Sequence, residues 1–99
     1  MNKTIELVIF KLINGSASND FVAANEKLSE WLRNQPGFEF RNLSLQDDGS
    51  WVDVLQWSSM ENAKRAAEKI MQELGNSPCM AMIDPDSVKM SHSQVMLSL

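Results

Sequence analysis

The chain contains few of the residues that disulfides, metal sites and membrane spans require. Its one cysteine, Cys79, cannot form an internal disulfide, and with one histidine, His92, the chain has no pair of Cys or His residues at the spacing of a zinc or copper site. The longest apolar runs, residues 7–10 and 79–83, are far shorter than the ~20 residues of a membrane-spanning helix. We therefore expect neither a metal centre nor a membrane partner.

Positive charge is scarce as well. Nine Lys and Arg residues stand against 13 Asp and Glu residues, which gives a net charge of -4, and the basic residues form no run. A nucleic-acid partner is not expected, because binding to phosphates depends on clustered Lys and Arg. Glu6 lies where a signal peptide would have its apolar region, so we expect a cytoplasmic protein.

The sequence does contain enough apolar residues, 43%, for one packed core, and its 99 residues leave no room for a second core. We expect a single domain over residues 1–99. Alternating apolar residues predict strands over residues 4–13, 38–46, 51–57 and 88–97. In the second of these strands, the alternation places Phe38 and Phe40 on the same face.

Two helices are predicted between these strands. Apolar residues at helical spacing indicate the first helix, with Ser18 as its N-cap and its end at the proline and glycine of residues 36–37. A capping box, in which the Glu61 side chain reaches back to the Ser58 backbone N–H, predicts the start of the second helix, which ends at Gly75. Residues 79–83 are interpreted as a single helical turn, and residues 84–87 as a turn.

The order β-α-β-β-α-β builds a ferredoxin-like plait of the α+β class, with an antiparallel sheet in the order 4-1-3-2 and both helices on one face. The first strand is apolar on both sides, and the third sets Trp51 and Trp57 against Val52 and Val54, so the open face of the sheet is apolar too. A second copy would cover that face. We predict a homodimer through the sheet faces.

Four stretches carry a resemblance that covers nearly the whole chain. They are the opening strand IELVIFKLING, the segment NDFVAANEKLSEWLRNQPGFEFRNL, the hairpin DDGSWVDVLQWSSMENA and the tail IDPDSVKMSH, with QPGF and VLQWSS the most telling phrases. On these, the chain resembles the antibiotic biosynthesis monooxygenase-like domains of the dimeric α/β-barrel superfamily. The resemblance implies a barrel formed by the sheets of two subunits, and a pocket in each subunit between helices and sheet.

Some members of that superfamily oxidise polycyclic aromatic substrates without metal or flavin, and others degrade haem. The haem degraders use an asparagine, a tryptophan and a histidine, which by approximate spacing correspond to Val8, to Ala66 or Ala67, and to Asn76 or Ser77 in this chain. None of these side chains can do what the family residue does. The resemblance therefore implies no haem, and we expect no cofactor.

His92 and Glu6 are the candidate catalytic residues. As the only imidazole, His92 is suited to removing a phenolic proton near neutral pH, although a hydrogen-bonded histidine with a structural role fits the sequence as well. Glu6 lies on the first strand, beside the fourth in the predicted order, and would orient the His92 ring if the strand registers agree. Otherwise it is a solvated glutamate. Asp53 is expected to pair with Arg41 across the hairpin.

A ligand pocket is predicted between the second helix and the sheet. Trp57 either walls this pocket or packs in the core, and the alanines of the second helix leave space for a flat ligand or let the helix approach the sheet closely. Methionines would make the pocket adaptable. The pocket residues predicted from the sequence are Val8, Phe10, Trp57, Ala63, Ala66, Ala67, Met82 and Met90.

Two functions remain open from the sequence. The first is a cofactor-independent monooxygenase-like protein that binds a small aromatic or quinone-like molecule, with His92 as the base and a dry pocket that protects the substrate carbanion while it reduces oxygen. The second is a non-catalytic barrel of the stress-responsive type that binds a small ligand or a protein partner. A cavity beside the second helix, with His92 nearby, would favour the first.

Overall fold

The computed structural model describes residues 2–99 and contains four strands, four helices and one 3-10 turn. The strands are β1 (Thr4–Phe10), β2 (Phe38–Leu45), β3 (Trp51–Trp57) and β4 (Lys89–Gln94). The helices are α1 (Ser18–Ala24), α2 (Glu26–Arg33), α3 (Met60–Leu74) and the single turn α4 (Pro78–Ala81), with the 3-10 turn at Pro85–Ser87. Within residues 2–99, no helix combines the length and apolar character needed to cross a membrane.

The sheet has the order β2-β3-β1-β4, and every neighbouring pair is antiparallel. This confirms the predicted ferredoxin-like α+β plait, since the order read from the other edge is 4-1-3-2. The registers place Val8 of β1 between Asp53 of β3 and Met90 of β4, and Glu6 opposite His92. Side chains of all four strands therefore meet along the middle of one face.

The face of the sheet that the helices cover is buried, and the other face is not. On β3 every second residue is buried, with Trp51, Leu55 and Trp57 in the core. Phe21 of α1 and Leu28 and Leu32 of α2 complete that core on the helix side. The open face carries half-buried apolar side chains, as the sequence predicted, and these are Ile5, Leu7, Ile9, Val52 and Val54.

A β-bulge changes which residues of β2 face the core. Phe38 pairs with Trp57 and Phe40 pairs with Gln56, so one extra residue lies between the two pairs. Because a bulge reverses the alternation on one strand, Phe38 packs edge-on against the Trp57 ring while Phe40 lies on the open face. The prediction that the two phenylalanines share a face is wrong for this reason.

The predicted first helix is divided at Asn25, and Ser18 is its first residue rather than its N-cap. The Asn25 side chain donates through Nδ2 to the Phe21 carbonyl at 2.8 Å, while its backbone N–H turns to Val22 at 3.2 Å. The side chain thus takes the carbonyl that the i→i−4 hydrogen bond would use. The helix tightens there and resumes as α2.

The capping box predicted for the second helix is also wrong. The N-cap of α3 is Ser59, whose Oγ accepts from the Asn62 backbone N–H at 3.1 Å. The Ser58 N–H is taken by the Gly37 carbonyl at 2.8 Å, and Glu61 accepts from Arg65 instead. The contact with the residue 36–37 turn therefore moves the start of the helix by one residue.

Two predicted strands are too long. β1 ends at Phe10 because the Lys11 N–H donates to Ser87 Oγ and the Lys11 carbonyl accepts from Asp84 N, both in the turn before β4. β4 ends at Gln94 because that residue pairs with Thr4, the first residue of β1, and only Val95 N adds a further bond, to Lys3. Beyond it, Met96 and Leu97 are more than four-fifths exposed.

Gly37 is the position where the turn before β2 has no room for a side chain. Its φ is +81°, and a Cβ there would lie 2.6 Å from Ser58 Oγ and 2.9 Å from Asn62 Cβ. Gly49 has a similar φ of +87° but nothing within 4 Å of such a Cβ. A substitution at Gly49 therefore causes backbone strain alone, whereas a substitution at Gly37 causes backbone strain and a steric clash.

We expect Gly49→Ala to lower the free energy of unfolding by about 1–2 kcal/mol, which is the cost of the left-handed conformation alone. Gly37→Ala should cost about 1–3 kcal/mol more, because α3 must also move away from the turn. Urea denaturation followed by tryptophan fluorescence measures both. Equal losses in the two variants would show that the start of α3 does not pack against this turn as described.

Candidate functional site

A cavity of about 300 Å³ lies between the helices and the covered face of the sheet. Its walls come from β1, β3 and β4 on one side and from α2, α3 and α4 on the other, and they are mostly apolar. Ala66 and Ala67 line it from α3, because alanine side chains leave the space that larger residues would fill. The sequence-based placement of a pocket beside the second helix agrees with this cavity.

Six of the eight predicted pocket residues line the cavity, and two do not. Ala63 is fully buried in the core, one turn before Ala66 on α3, and Met82 packs against the core after α4. Periodicity identifies a helix face, but it does not show how far along that face the helix and the sheet separate. The six that line the cavity are Val8, Phe10, Trp57, Ala66, Ala67 and Met90.

The two candidate catalytic residues form a pair. Glu6 and His92 lie opposite each other on β1 and β4, and His92 Nε2 is 3.0 Å from Glu6 Oε1. Glu6 is 7% exposed and lines the cavity, whereas His92 is not among the lining residues. The alternative of a solvated Glu6 is therefore wrong, and the carboxyl group lies between the imidazole and the cavity.

Glu6 has one carboxyl oxygen without a protein partner. Oε1 is bonded to His92, while Oε2 accepts no hydrogen bond from any residue between 2 and 99. Burial raises the pKa of Glu6, the hydrogen bond and charge of His92 lower it, and the charge of Asp53 raises it further, with a net upward shift. The cavity thus contains an ionisable group that is poised to exchange a proton at its free oxygen.

A buried ion pair forms the polar end of the cavity. Arg41 donates through Nε and Nη2 to both oxygens of Asp53, with an Nη2–Oδ2 distance of 2.8 Å, which confirms the predicted pair. Arg41 Nη2 also donates to Asn25 Oδ1 at 2.7 Å, and Nη1 reaches Ser29 Oγ at 3.4 Å. The guanidinium therefore joins β2 and β3 to the break between α1 and α2.

Sequence reasoning did not place Arg41, Asn25 or Trp31 at the cavity. Arg41 and Asn25 line it because the bulge in β2 turns Arg41 inward and the helix break presents Asn25. Trp31 lines it from α2, and its indole N–H donates to Glu73 of α3 at 3.2 Å, so the two helices are linked beside the cavity. The one sequence signal for a polar group at the cavity is the arginine within the alternating pattern of the second strand.

Trp57 is both a core residue and a cavity wall. It is 1% exposed, it packs edge-on against Phe38 with ring centroids 5.5 Å apart, and it lines the cavity. Its indole N–H has no hydrogen-bond partner among the described residues, although a buried indole usually has one. The sequence left pocket wall and core packing open, and the structure shows that they coexist.

The residues at the cavity do not fit haem bound through an imidazole. The positions that the family resemblance assigned to haem degradation hold Val8, Ala66 and Ala67, which line the cavity, and Asn76 and Ser77, which do not. No lining residue within the described chain is a histidine, and no three His, Cys, Asp or Glu side chains converge there or elsewhere in residues 2–99. We derive no chemistry through haem.

Solved structures share this fold along the whole chain. A variant of SnoaB, a cofactor-independent oxygenase from Streptomyces nogalater, is 16% identical, with a TM-score of 0.77 over 100% of this chain and 98% of that one. The monooxygenase from the gene ActVA-Orf6 of Streptomyces coelicolor, in complex with Nanaomycin D, is 19% identical, with a TM-score of 0.66 over 99% and 91% of the two chains.

A haem-degrading protein from Mycobacterium tuberculosis is similar to the same degree. It is 16% identical, with a TM-score of 0.68 over 99% of this chain and 96% of that chain. No protein-family model and no curated protein matches the chain. At these identities, the similarity establishes the ferredoxin-like fold, which an oxygenase, a monooxygenase and a haem-degrading protein share.

The raised pKa of Glu6 makes stability depend on pH in a definite direction. The folded protein binds the Glu6 proton more tightly than the unfolded chain, whose carboxyl keeps a pKa near the ordinary 4.5. The contribution of Glu6 to the free energy of unfolding is therefore fully present below pH 4.5 and is lost as pH rises through the higher folded pKa. We expect the stability difference between wild type and Glu6→Gln to fall over that interval, in urea denaturation at a series of pH values.

Glu39 provides a control of opposite sign. Its hydrogen bonds to Lys3 and Gln56 lower its pKa below 4.5, so its contribution is present above that pH and is lost as pH falls through the lowered value. The difference between wild type and Glu39→Gln should therefore rise with pH. A Glu6 difference that is constant, or that also rises, contradicts the burial of the Glu6 carboxyl group.

Proposed function

We propose that the protein binds a small fused-ring phenol in the cavity and oxidises it with dioxygen, without a cofactor, to a quinone. The observation that carries this proposal is the Glu6 carboxyl group, which lines a mostly apolar cavity, has an imidazole at Oε1 and has no protein donor at Oε2 within residues 2–99. Burial raises the pKa of the Glu6 carboxyl group above its ordinary value, which makes its carboxylate a stronger base for a phenolic proton. The mostly apolar walls of the cavity place few polar groups beside the reactive anion.

Glu6 accepts the proton in this proposal, and His92 positions Glu6. We assign the roles this way because Glu6 lines the cavity and His92 does not. His92 Nε2, when protonated, donates to Glu6 Oε1, which fixes the carboxyl plane and leaves Oε2 directed at the substrate hydroxyl. The imidazole thus acts on the substrate through the carboxylate and is a positioning residue.

The reaction balances with dioxygen as the only other reactant. Loss of the phenolic proton to Glu6 gives an anion with electron density on the ring carbon para to the oxygen, and that carbon transfers an electron to O₂ before the two radicals form a C–O bond. Glu6 returns its proton to the peroxide. The O–O bond then breaks, and water leaves with the hydrogen of the para carbon. A phenol and O₂ become a quinone and water.

The structural neighbours support the class of reaction and not its substrate. SnoaB is described as a cofactor-independent oxygenase, and the structure from Streptomyces coelicolor is a monooxygenase holding Nanaomycin D. Both have this fold. What carries the proposal in this chain is its own carboxyl and imidazole pair at a cavity of about 300 Å³, which has room for a molecule of two or three fused rings.

We expect oxygen uptake with 1-naphthol, and one atom of ¹⁸O from ¹⁸O₂ in the resulting 1,4-naphthoquinone. Glu6→Gln should lower the rate by about 10² to 10⁴, the usual contribution of general acid-base catalysis. His92→Gln keeps a hydrogen-bond donor for Oε1, so it should lower the rate less than Glu6→Gln does. It should also shift the pH at which the rate rises. Glu61→Gln, on the outer side of α3, is the matched control with unchanged activity.

Two results would contradict the oxidation. One is an unchanged rate per folded molecule in Glu6→Gln. The other is the absence of oxygen uptake by the wild type with 1-naphthol and a panel of hydroquinones, both with and without added flavin. Uptake that needs flavin would show that the reaction is not cofactor-independent.

A non-catalytic barrel that binds a small ligand or a protein partner is the second candidate. The Trp57 N–H, which has no acceptor among the described residues, is a group that a bound ligand could satisfy without any reaction. Saturable binding of 1-naphthol without oxygen uptake would support this candidate over the oxygenase.

We also propose that two copies pack through the open faces of their sheets. The half-buried row of Ile5, Leu7 and Ile9 on β1, with Val52 and Val54 on β3, forms a continuous apolar surface that a single copy leaves in water. A two-fold dimer would bury this surface, and each Å² of apolar surface removed from water stabilises the dimer by about 25 cal/mol. The barrel that the family resemblance implies arises from this pairing.

Sedimentation equilibrium at micromolar concentration should give twice the chain mass of 11.2 kDa. Leu7→Lys places a charge in the middle of the open face and should yield the monomer with its secondary structure intact. Val22→Lys, at an exposed position of α1, is the control and should leave the dimer unchanged. Monomeric wild-type protein, or a dimer that Leu7→Lys does not weaken, would refute this interface.

A further inference from the structure

Among residues 2–99, the charged groups that line the cavity are two carboxylates and one guanidinium. Glu6 and Asp53 supply the carboxylates, Arg41 supplies the guanidinium, and the other lining residues carry no formal charge. No lysine is among the lining residues of the described chain. The lining therefore has an excess of one negative charge whenever Glu6 is ionised, and His92, which contacts Glu6 from outside the cavity, balances it only when protonated.

The guanidinium is already paired within the protein. Arg41 Nε and Nη2 donate to Asp53, Nη2 donates also to Asn25, and Nη1 points to Ser29 at 3.4 Å. The side chains of Arg41 and Asp53 are 9% and 11% exposed, so the pair is held away from water. An anionic ligand that drew Arg41 away would leave the Asp53 carboxylate buried without its partner, which is costly.

Unlike Arg41, Glu6 is only partly paired within the protein. Its side chain is 9% exposed, its Oε2 accepts no hydrogen bond within residues 2–99, and it lines the apolar cavity. A carboxylate oxygen that no protein group donates to, in a mostly apolar cavity, gains from a ligand that brings a donor, and more if that donor is positively charged. A ligand carboxylate would instead meet a like charge in a medium of low dielectric constant.

We propose that the cavity selects its ligand by charge, taking aromatic molecules whose polar group is a protonated amine or a neutral donor and excluding those that carry a carboxylate. Glu6 is the residue that sets this order. The inference deepens the proposed function, since it names the head group that the same cavity admits. It predicts that a natural ligand bears hydroxyl or amino substituents and no carboxylate.

Three probes of equal ring size test the order at neutral pH by isothermal titration calorimetry. They are 1-naphthylmethylamine, 1-naphthalenemethanol and 1-naphthoate, which are cationic, neutral and anionic. We expect the amine to bind about tenfold more tightly than the alcohol, because both donate to the Glu6 carboxylate but only the ammonium group adds an attraction between opposite charges in a weakly screened cavity. The carboxylate should bind at least about tenfold more weakly than the alcohol.

Glu6→Gln keeps the size of the side chain and removes its charge, so the amine should bind no better than the alcohol does. The matched control is Glu61→Gln, which removes the same charge from the outer side of α3 and should leave all three affinities within a factor of about two, since exposed charges act weakly at this distance. Circular dichroism checks that each variant is folded. If Glu6→Gln fails to fold, the order of the three affinities in the wild type still tests whether the cavity selects its ligand by charge.

The titrations are done under nitrogen, so no turnover is needed. Equal affinities for the three probes, tighter binding of the carboxylate, or no binding by any of them would overturn the inference. If Glu6→Gln still binds the amine more tightly than the alcohol, Glu6 is not the residue that causes the preference. Failure of the oxygen-uptake assay with the charge order intact would instead refute the oxygenase and leave charge selection standing.

Discussion

The ion pair between Arg41 and Asp53 is the interaction on which the site depends. It joins neighbouring strands, and through Asn25 Oδ1 it reaches the break between α1 and α2. Because both side chains are nearly buried, removing one partner would leave an uncompensated charge at a cost of about 3–5 kcal/mol. The pair therefore fixes where the helices cross the sheet. It also fixes the electrostatics of the cavity, since Asp53 contributes to the raised pKa of Glu6.

The cavity follows from two further constraints. Ala66 and Ala67 on α3 leave space above the sheet, while Ala63 one turn earlier packs fully in the core, so the helix and the sheet separate along the length of α3. Glu6 then lies at the boundary of that space, with its other side held by His92. A mostly apolar cavity with one carboxyl oxygen that has no partner in the described part of the chain combines a hydrophobic binding site with one chemically specific contact.

The sequence predicted the strand order, the two-sided apolar sheet and the Arg41–Asp53 pair, because alternation and hairpin pairing are local properties that composition and spacing reveal. It did not predict the bulge that places Phe38 and Arg41 on the covered face, since one inserted residue leaves no periodic signature. Nor did it predict the helix break at Asn25, whose side chain donates to the Phe21 carbonyl and accepts from Arg41 of a distant strand. The Glu6–His92 contact was conditional on register, and register is set by the whole β1–β4 pairing.

The most direct test of the account is a crystal structure with 4-bromo-1-naphthol, collected at the bromine absorption edge. The expected result is one anomalous peak per chain inside the cavity between α3 and the sheet, with the naphthol oxygen about 2.5–3.0 Å from Glu6 Oε2, the range of an O–H···O hydrogen bond. A peak on the open face of the sheet, or a ring in the cavity whose hydroxyl group points away from Glu6, would contradict the assignment of the cavity and its carboxylate as the functional site.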